Sequence, residues 1–248
     1  MKHGRRGGII SIMKAGNRIP DYYRETYVPW YRWFSRYYDL FVPLLLFMLN
    51  GGFGGERRLR ELVIDRLELK PGDRVIDICS GTGTLAIMIG NRLAGLGQGS
   101  GPPPGGVAGI EISDRQMAVA MNKSIPANVE LARADAQAVP YPDARFDKGV
   151  IFGALHEIPG PARRNILAEA YRVLKPGART VILEHNRPEG RWRALFYRLL
   201  ERPTPEYPTY SDLLESGLSR EIAEAGFRVM STEAVASQFF QVVVARKP

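Results

Sequence analysis

From residue 73 onward, short apolar runs alternate with stretches whose apolar positions recur every three to four residues. The short runs predict strands at 74–79, 106–111, 129–132, 146–152 and 180–183. The stretches between them predict helices at 84–93, 114–123 and 161–173. Strands separated by helices pair in parallel, with helices on both faces of the sheet. Upstream, residues 55–69 read as an amphipathic helix stopped by Lys70-Pro71-Gly72. Downstream, a helix at 218–225 precedes two β-rich runs, 227–235 and 239–245, too close together for a crossover. They predict an antiparallel hairpin at the sheet edge. The class is α/β, with a mostly parallel seven-stranded sheet, that edge hairpin and an N-terminal helical cap.

The organisation predicted is a tail and aromatic-rich cap over 1–69 and one globular unit over 70–248. Residues 21–49 are dense in aromatics, and Tyr27, Trp30, Tyr31 and Phe34 share one helical face. Such a stripe packs on the sheet or roofs a pocket for a flat, greasy molecule. Residues 95–106, GLGQGSGPPPGG, read as a surface insertion. The longest apolar run, 40–49, is ten residues and holds Pro43, where a spanning helix needs roughly 20. The apolar stretch near the start is too short and glycine-rich for a secretory signal. The location expected is cytoplasmic, with peripheral contact to an anionic membrane through 40–49 and its flanking arginines as an option.

Charge and composition narrow the chemistry. A net charge of +8 over 248 residues points to an acidic partner or simply to solubility. No nucleic-acid-binding motif is visible, and no stable nucleic acid is expected. The single cysteine, Cys79, excludes an intrachain disulfide and lies in an apolar run, as a small core residue does. The three histidines stand in distant, unlike contexts, so no metal is expected.

The central signal is VIDICSGTGTLAIMI, residues 75–89. A strand carries Asp77, a loop Ser80-Gly81-Thr82-Gly83 follows, and a helix begins. Glycines let the backbone turn and approach a ligand, and the helix start offers free N–H groups. A dinucleotide site would space a third glycine at position 86, which is Ala. Asp77 would repel a pyrophosphate and attract an amino-acid ammonium. Glu111 ends the next strand, where a carboxylate can accept hydrogen bonds from both ribose hydroxyls. Asp135 follows the third strand, where its oxygen can take an adenine amino group.

With VIDICSGTGTLAI, GIEIS, RADAQAVPYPDARFDKGVIFGALHEI and EAYRVLKPGARTVILE, in that order, the chain resembles class I S-adenosylmethionine-dependent methyltransferases over about 35–245. Among them it is most similar to the ubiquinone/menaquinone-biosynthesis C-methyltransferase group. The resemblance implies a Rossmann-like doubly wound sheet, with S-adenosylmethionine as cofactor and S-adenosylhomocysteine as product. It also implies that Ser80, Gly81, Thr82 and Gly83 hold the methionine part. Glu111, with Ile112 beside it, would take the ribose, and Asp135 with Ala136 the adenine edge. Phe152 and Gly153 would line the transferred methyl, and Tyr38, in Tyr37-Tyr38-Asp39, would reach over the cofactor.

The acceptor side is less fixed. His156 and Glu157 lie just past the fourth strand, as a base and either its orienting carboxylate or a second proton acceptor. The quinone group shows Arg-Asn where this chain has His156-Glu157, which puts a quinone head group in question. His185, Arg187, Arg191 and Tyr210 are candidates for acceptor contacts. The function expected is methylation of a small, hydrophobic or lipid-like acceptor. The alternatives are a phospholipid or small-amine N-methyltransferase, a nicotinamide-dependent oxidoreductase, and a non-catalytic cofactor-binding or RNA-interacting module.

Overall fold

The computed structural model describes residues 20–22, 24–25, 55–97, 105–187, 189–191, 195, 202, 204 and 206–248. In chain order these form α1 (Gly55–Leu67), β1 (Arg74–Ile78), α2 (Thr84–Leu96), β2 (Gly106–Glu111), α3 (Asp114–Met121) and β3 (Val129–Arg133). Then come β4 (Phe146–Phe152), a short turn of helix Leu155–Glu157, α4 (Gly160–Val173), β5 (Leu174–His185), α5 (Tyr207–Ser216), α6 (Leu218–Glu224), β6 (Arg228–Val235) and β7 (Phe240–Arg246). The seven strands lie in the order β3-β2-β1-β4-β5-β7-β6. The pairings β3-β2, β2-β1, β1-β4 and β4-β5 are parallel, and β7 runs antiparallel to β5 and β6. This is the expected doubly wound sheet with its edge hairpin.

Side chains alternate across a strand, and the sheet sorts them into two cores. Ile76, Ile78, Ile110, Ile151, Ile182 and Val243 face α4, α5 and α6. Val75, Val107, Val129, Val150, Val181 and Val244 face α1, α2 and α3. Central strands covered on both faces must be apolar throughout, which is why residues 75–78 are all buried. Asp77 breaks that pattern. It lies on the Val75 face, under α1 and α2, and is 1% exposed.

Two elements differ from the sequence expectation, each for a clear physical reason. The fifth strand runs from Leu174 to His185, well beyond 180–183. Lys175-Pro176-Gly177 reads as a breaker, yet Leu174 pairs with Phe146 and the ladder resumes at Arg179 opposite Lys148 across an irregularity. At the other end Glu184 and His185 stay in the ladder opposite Gln241 and Phe240. The helix α5 forms within a segment whose richness in Arg, Pro and Tyr hides it. Its marks are present: Pro208 at the start, Gly217 just past the end, and buried Tyr210 and Leu213 three apart.

Among the described residues, no helix is long and apolar enough to cross a membrane. Of the N-terminal cap, Tyr38 and the 40–49 run lie outside the described residues. The helix α1 buries Leu59, Val63, Ile64 and Leu67 in the second core.

Candidate functional site

Strand order reverses beside β1: the chain moves to β2 and β3 on one side, then returns to β4 and β5 on the other. A crevice opens at such a point, outside the carboxyl ends of the strands. Parallel pairing places Asp77, the 80–83 loop, Glu111, Ile112, Asp135, Ala136, Phe152 and Gly153 on this one rim.

The loop is held from several sides. The Ser80 amide donates to the Ile110 carbonyl at 2.9 Å, and the Gly83 amide to the Ser80 carbonyl at 2.9 Å. Glu111 accepts the Gly81 amide at 2.9 Å on one oxygen and the Ser113 amide at 2.8 Å on the other. Burial pushes the Glu111 carboxyl up, and these amides pull it back. On the outer side, the Lys123 ammonium donates to the Thr82 carbonyl at 2.8 Å and to the Thr82 and Thr84 hydroxyls at 2.7 and 2.6 Å. Asp135 caps its own turn by accepting the Gln137 amide at 2.9 Å.

The turn demands unusual backbone. Cys79 has φ 60°, a region side chains rarely enter; it is half-buried, and burial pushes its thiol well up. Gly83 has φ 71°, and a Cβ there would come within 2.7 Å of Leu131 Cδ1. Gly83→Ala therefore combines left-handed strain of about 1–2 kcal/mol with overpacking. Urea unfolding is expected to show a loss on the order of 2 kcal/mol.

Asp77 stands at the floor of the crevice with neither carboxylate oxygen hydrogen-bonded. Burial pushes its carboxyl up to about 7. Arg60 opposes this, Glu111 adds to it, and the Ala86 N–H eases it without closing a bond of normal geometry. Arg60 comes from α1, ion-paired to Glu56 at 2.6 Å, with its guanidinium 5.0 Å over the Phe152 ring. Its place was not legible in the sequence, where it is one of several clustered arginines.

A second cluster lies beyond Phe152, where β4 and β5 end side by side. The two rings, His156 and His185, are 4.1 Å apart. The expectation of distant histidines fails because neighbouring parallel strands bring positions 29 apart in sequence onto one rim. Glu184, 0% exposed, accepts His156 Nδ1–H at 2.7 Å, and its other oxygen takes the Leu155 amide at 2.7 Å. The carboxylate that orients the imidazole is therefore Glu184 and not Glu157, whose oxygen is 3.9 Å from His156 Nε2. A Glu206 oxygen is also 3.9 Å from that nitrogen. Burial works against a charged His156, but Glu184 outweighs it and the ring is raised above its usual value. Burial and the neighbouring His156 lower His185. Tyr210 joins the cluster through the His185 ring, with centroids 5.3 Å apart. Arg187 and Arg191 stay exposed.

A family model described as a methyltransferase domain matches residues 75–177. The matched segment runs from β1 into the start of β5. Over 192 residues the chain is 31% identical to the ubiquinone/menaquinone biosynthesis C-methyltransferase of Geobacter sulfurreducens, covering 76% of this chain and 64% of that protein. It is 32% identical over 140 residues to the 2-phytyl-1,4-naphtoquinone methyltransferase of Synechococcus elongatus, covering 55% of this chain and 56% of that protein. The chain thus spans between about half and two thirds of the length of these relatives. The fold of this segment and its flanks is similar to that in the crystal structure of a SAM-dependent methyltransferase from Aquifex aeolicus. There the TM-score is 0.58 at 24% identity, over 76% of this chain and 89% of that one.

Proposed function

We propose that this chain is an S-adenosylmethionine-dependent methyltransferase acting on a small hydrophobic acceptor of the quinone-precursor kind. The observation that supports it most is the Asp77 carboxylate, buried at the floor of a glycine loop with no hydrogen bond to either oxygen. A buried carboxylate is costly unless a cation reaches it, and the ammonium of the cofactor's amino-acid end is such a cation. The loop leaves room for it: a Cβ at Gly81 would meet nothing within 4 Å.

When bound, S-adenosylmethionine supplies a methyl group already activated on a sulfonium. The chain's part is to bind, align and exclude water. Asp77 holds the ammonium, the 80–83 backbone cradles the methionine carbons, and Glu111 and Asp135 take ribose and adenine. Phe152 and Gly153 wall the space in front of the methyl. Past them, His156, Glu157 and Glu206 face the acceptor's side of the crevice, and Glu184 keeps the His156 ring in one orientation. The quinone-methylating relatives support a flat, greasy acceptor.

Calorimetry tests the cofactor half: S-adenosylhomocysteine should bind and NAD should not, and NAD binding alone would reverse the assignment. For the acceptor half, methyl-labelled cofactor incubated with a lipid and metabolite extract should label a non-polar, quinone-like product. Label in phospholipid head groups or RNA would replace that acceptor.

A further inference from the structure

We propose that His156, Glu157 and Glu206 form a divalent-cation site at the rim of β4 and β5, with Glu184 as its supporting carboxylate. The ligand atoms of these three residues lie within 4.8 Å of one another. Each carboxylate oxygen is 3.9 Å from His156 Nε2. That is too long for a hydrogen bond, and nearly the spacing of atoms that share an ion. Two ligand bonds of about 2.1 Å at a tetrahedral angle separate their atoms by about 3.4 Å, so each of these two pairs needs about half an ångström of closure, and the two carboxylates, within 4.8 Å of each other, draw together by no more than about 1.4 Å.

The surroundings match what metal sites need around the ligands. A ligating imidazole commonly donates its other ring N–H to a carboxylate, which fixes the ring and raises its basicity. His156 does this to Glu184 at 2.7 Å. Glu184 is committed to that role: its oxygens also accept the Leu155 amide at 2.7 Å and the His185 amide at 2.8 Å. A second grouping, His156 with Glu184 and His185, satisfies the same proximity, but would take Glu184 from those bonds. Charge points the same way. Three carboxylates converge on this half-closed space with two imidazoles, and a divalent ion neutralises the excess negative charge. One imidazole and two carboxylates suit Zn²⁺, Mn²⁺ or Fe²⁺. Three protein ligands leave a coordination position for an oxygen of a small molecule in the crevice.

This assignment stands apart from the methyl-transfer reading, because it is read on the protein without cofactor. The full chain, stripped with chelator, is titrated with Zn²⁺ by calorimetry. One equivalent is expected to bind with micromolar or tighter affinity, and Co²⁺ in its place should give a visible ligand-field spectrum. His156→Ala and Glu206→Gln should each weaken binding at least tenfold, and Glu184→Gln by about 10–100-fold. Circular dichroism checks that each variant is folded, and Glu206→Gln, at the edge of the cluster, keeps the test decisive if the buried variants do not fold. No stoichiometric binding, or binding unchanged in both His156→Ala and Glu206→Gln, would overturn the site.

Discussion

Replacing Asp77 by Asn is expected to make the cofactor-free protein more stable while nearly abolishing cofactor binding. The Asp77 carboxyl is raised to about 7 by burial, against about 3.9 in an unfolded chain. The folded state therefore holds this proton more tightly than the unfolded state does. The contribution it makes is full below about pH 4, declines as pH rises, and is lost above about 7. At pH 8 the ionised group is a net cost on the order of 2–4 kcal/mol, because each tenfold gain in proton affinity on folding is worth roughly 1.4 kcal/mol. Asn removes that cost, and the melting temperature should rise by several degrees, on the order of 10 °C. The same change removes the charge that meets the ammonium, and S-adenosylhomocysteine affinity should fall by about 10²–10³. In the unaltered protein, binding the ammonium must expel the proton from Asp77, so affinity should strengthen about tenfold between pH 6 and 8. Calorimetry in buffers of differing ionisation enthalpy would read the released proton. An Asn variant that binds as tightly as the original would refute the assignment of residue 77.

The second large effect is structural. Arg163 of α4 is 0% exposed and joins three elements. Its guanidinium donates to Glu221 of α6 at 2.7 and 3.0 Å, to Asp212 of α5 at 2.8 Å and to the Ile158 carbonyl at 2.7 Å. Arg163→Leu leaves Glu221, 4% exposed, without its main counter-charge. Breaking one side of a buried pair typically costs about 3–5 kcal/mol, so the melting temperature should drop by roughly 10 °C or more. Removing both charges, as Arg163→Leu with Glu221→Leu, should recover much of the loss. If the single variant melted like the original, the network would be ornamental. Because α5 follows directly on Glu206, loosening it should also weaken whatever binds beside His156.

The order of elements was legible because hydrophobic period and turn residues agree along most of the chain. The five parallel strands, their helices and the edge hairpin all follow from that agreement. What failed was local conflict. Lys175-Pro176-Gly177 signals a stop that tertiary pairing overrides, since Leu174 still finds Phe146. Glu184 and His185 look like the end of a strand because they are polar, yet Glu184 is completely buried and satisfied by amides and an imidazole. The groups proposed to hold the cofactor were readable because they lie in contiguous motifs. The proposed acceptor side draws on Glu184 and Glu206, which share no motif with His156 and meet it only across strands and helices, and on Tyr210, which meets His185. Arg60 belongs with them: nothing in GERRLRELVIDRL marks which arginine turns inward over Phe152.

The two ends of the parallel strands lead separate lives. Every group of the crevice sits where the parallel strands finish, whereas the glycine- and proline-rich stretch between α2 and β2 connects to the ends where strands begin. The molecule thus offers an engineer a neutral handle. A fluorophore or a tether to a solid support attached at Leu96, exposed at the end of α2, would sit away from the crevice and is expected to leave ligand binding as it was.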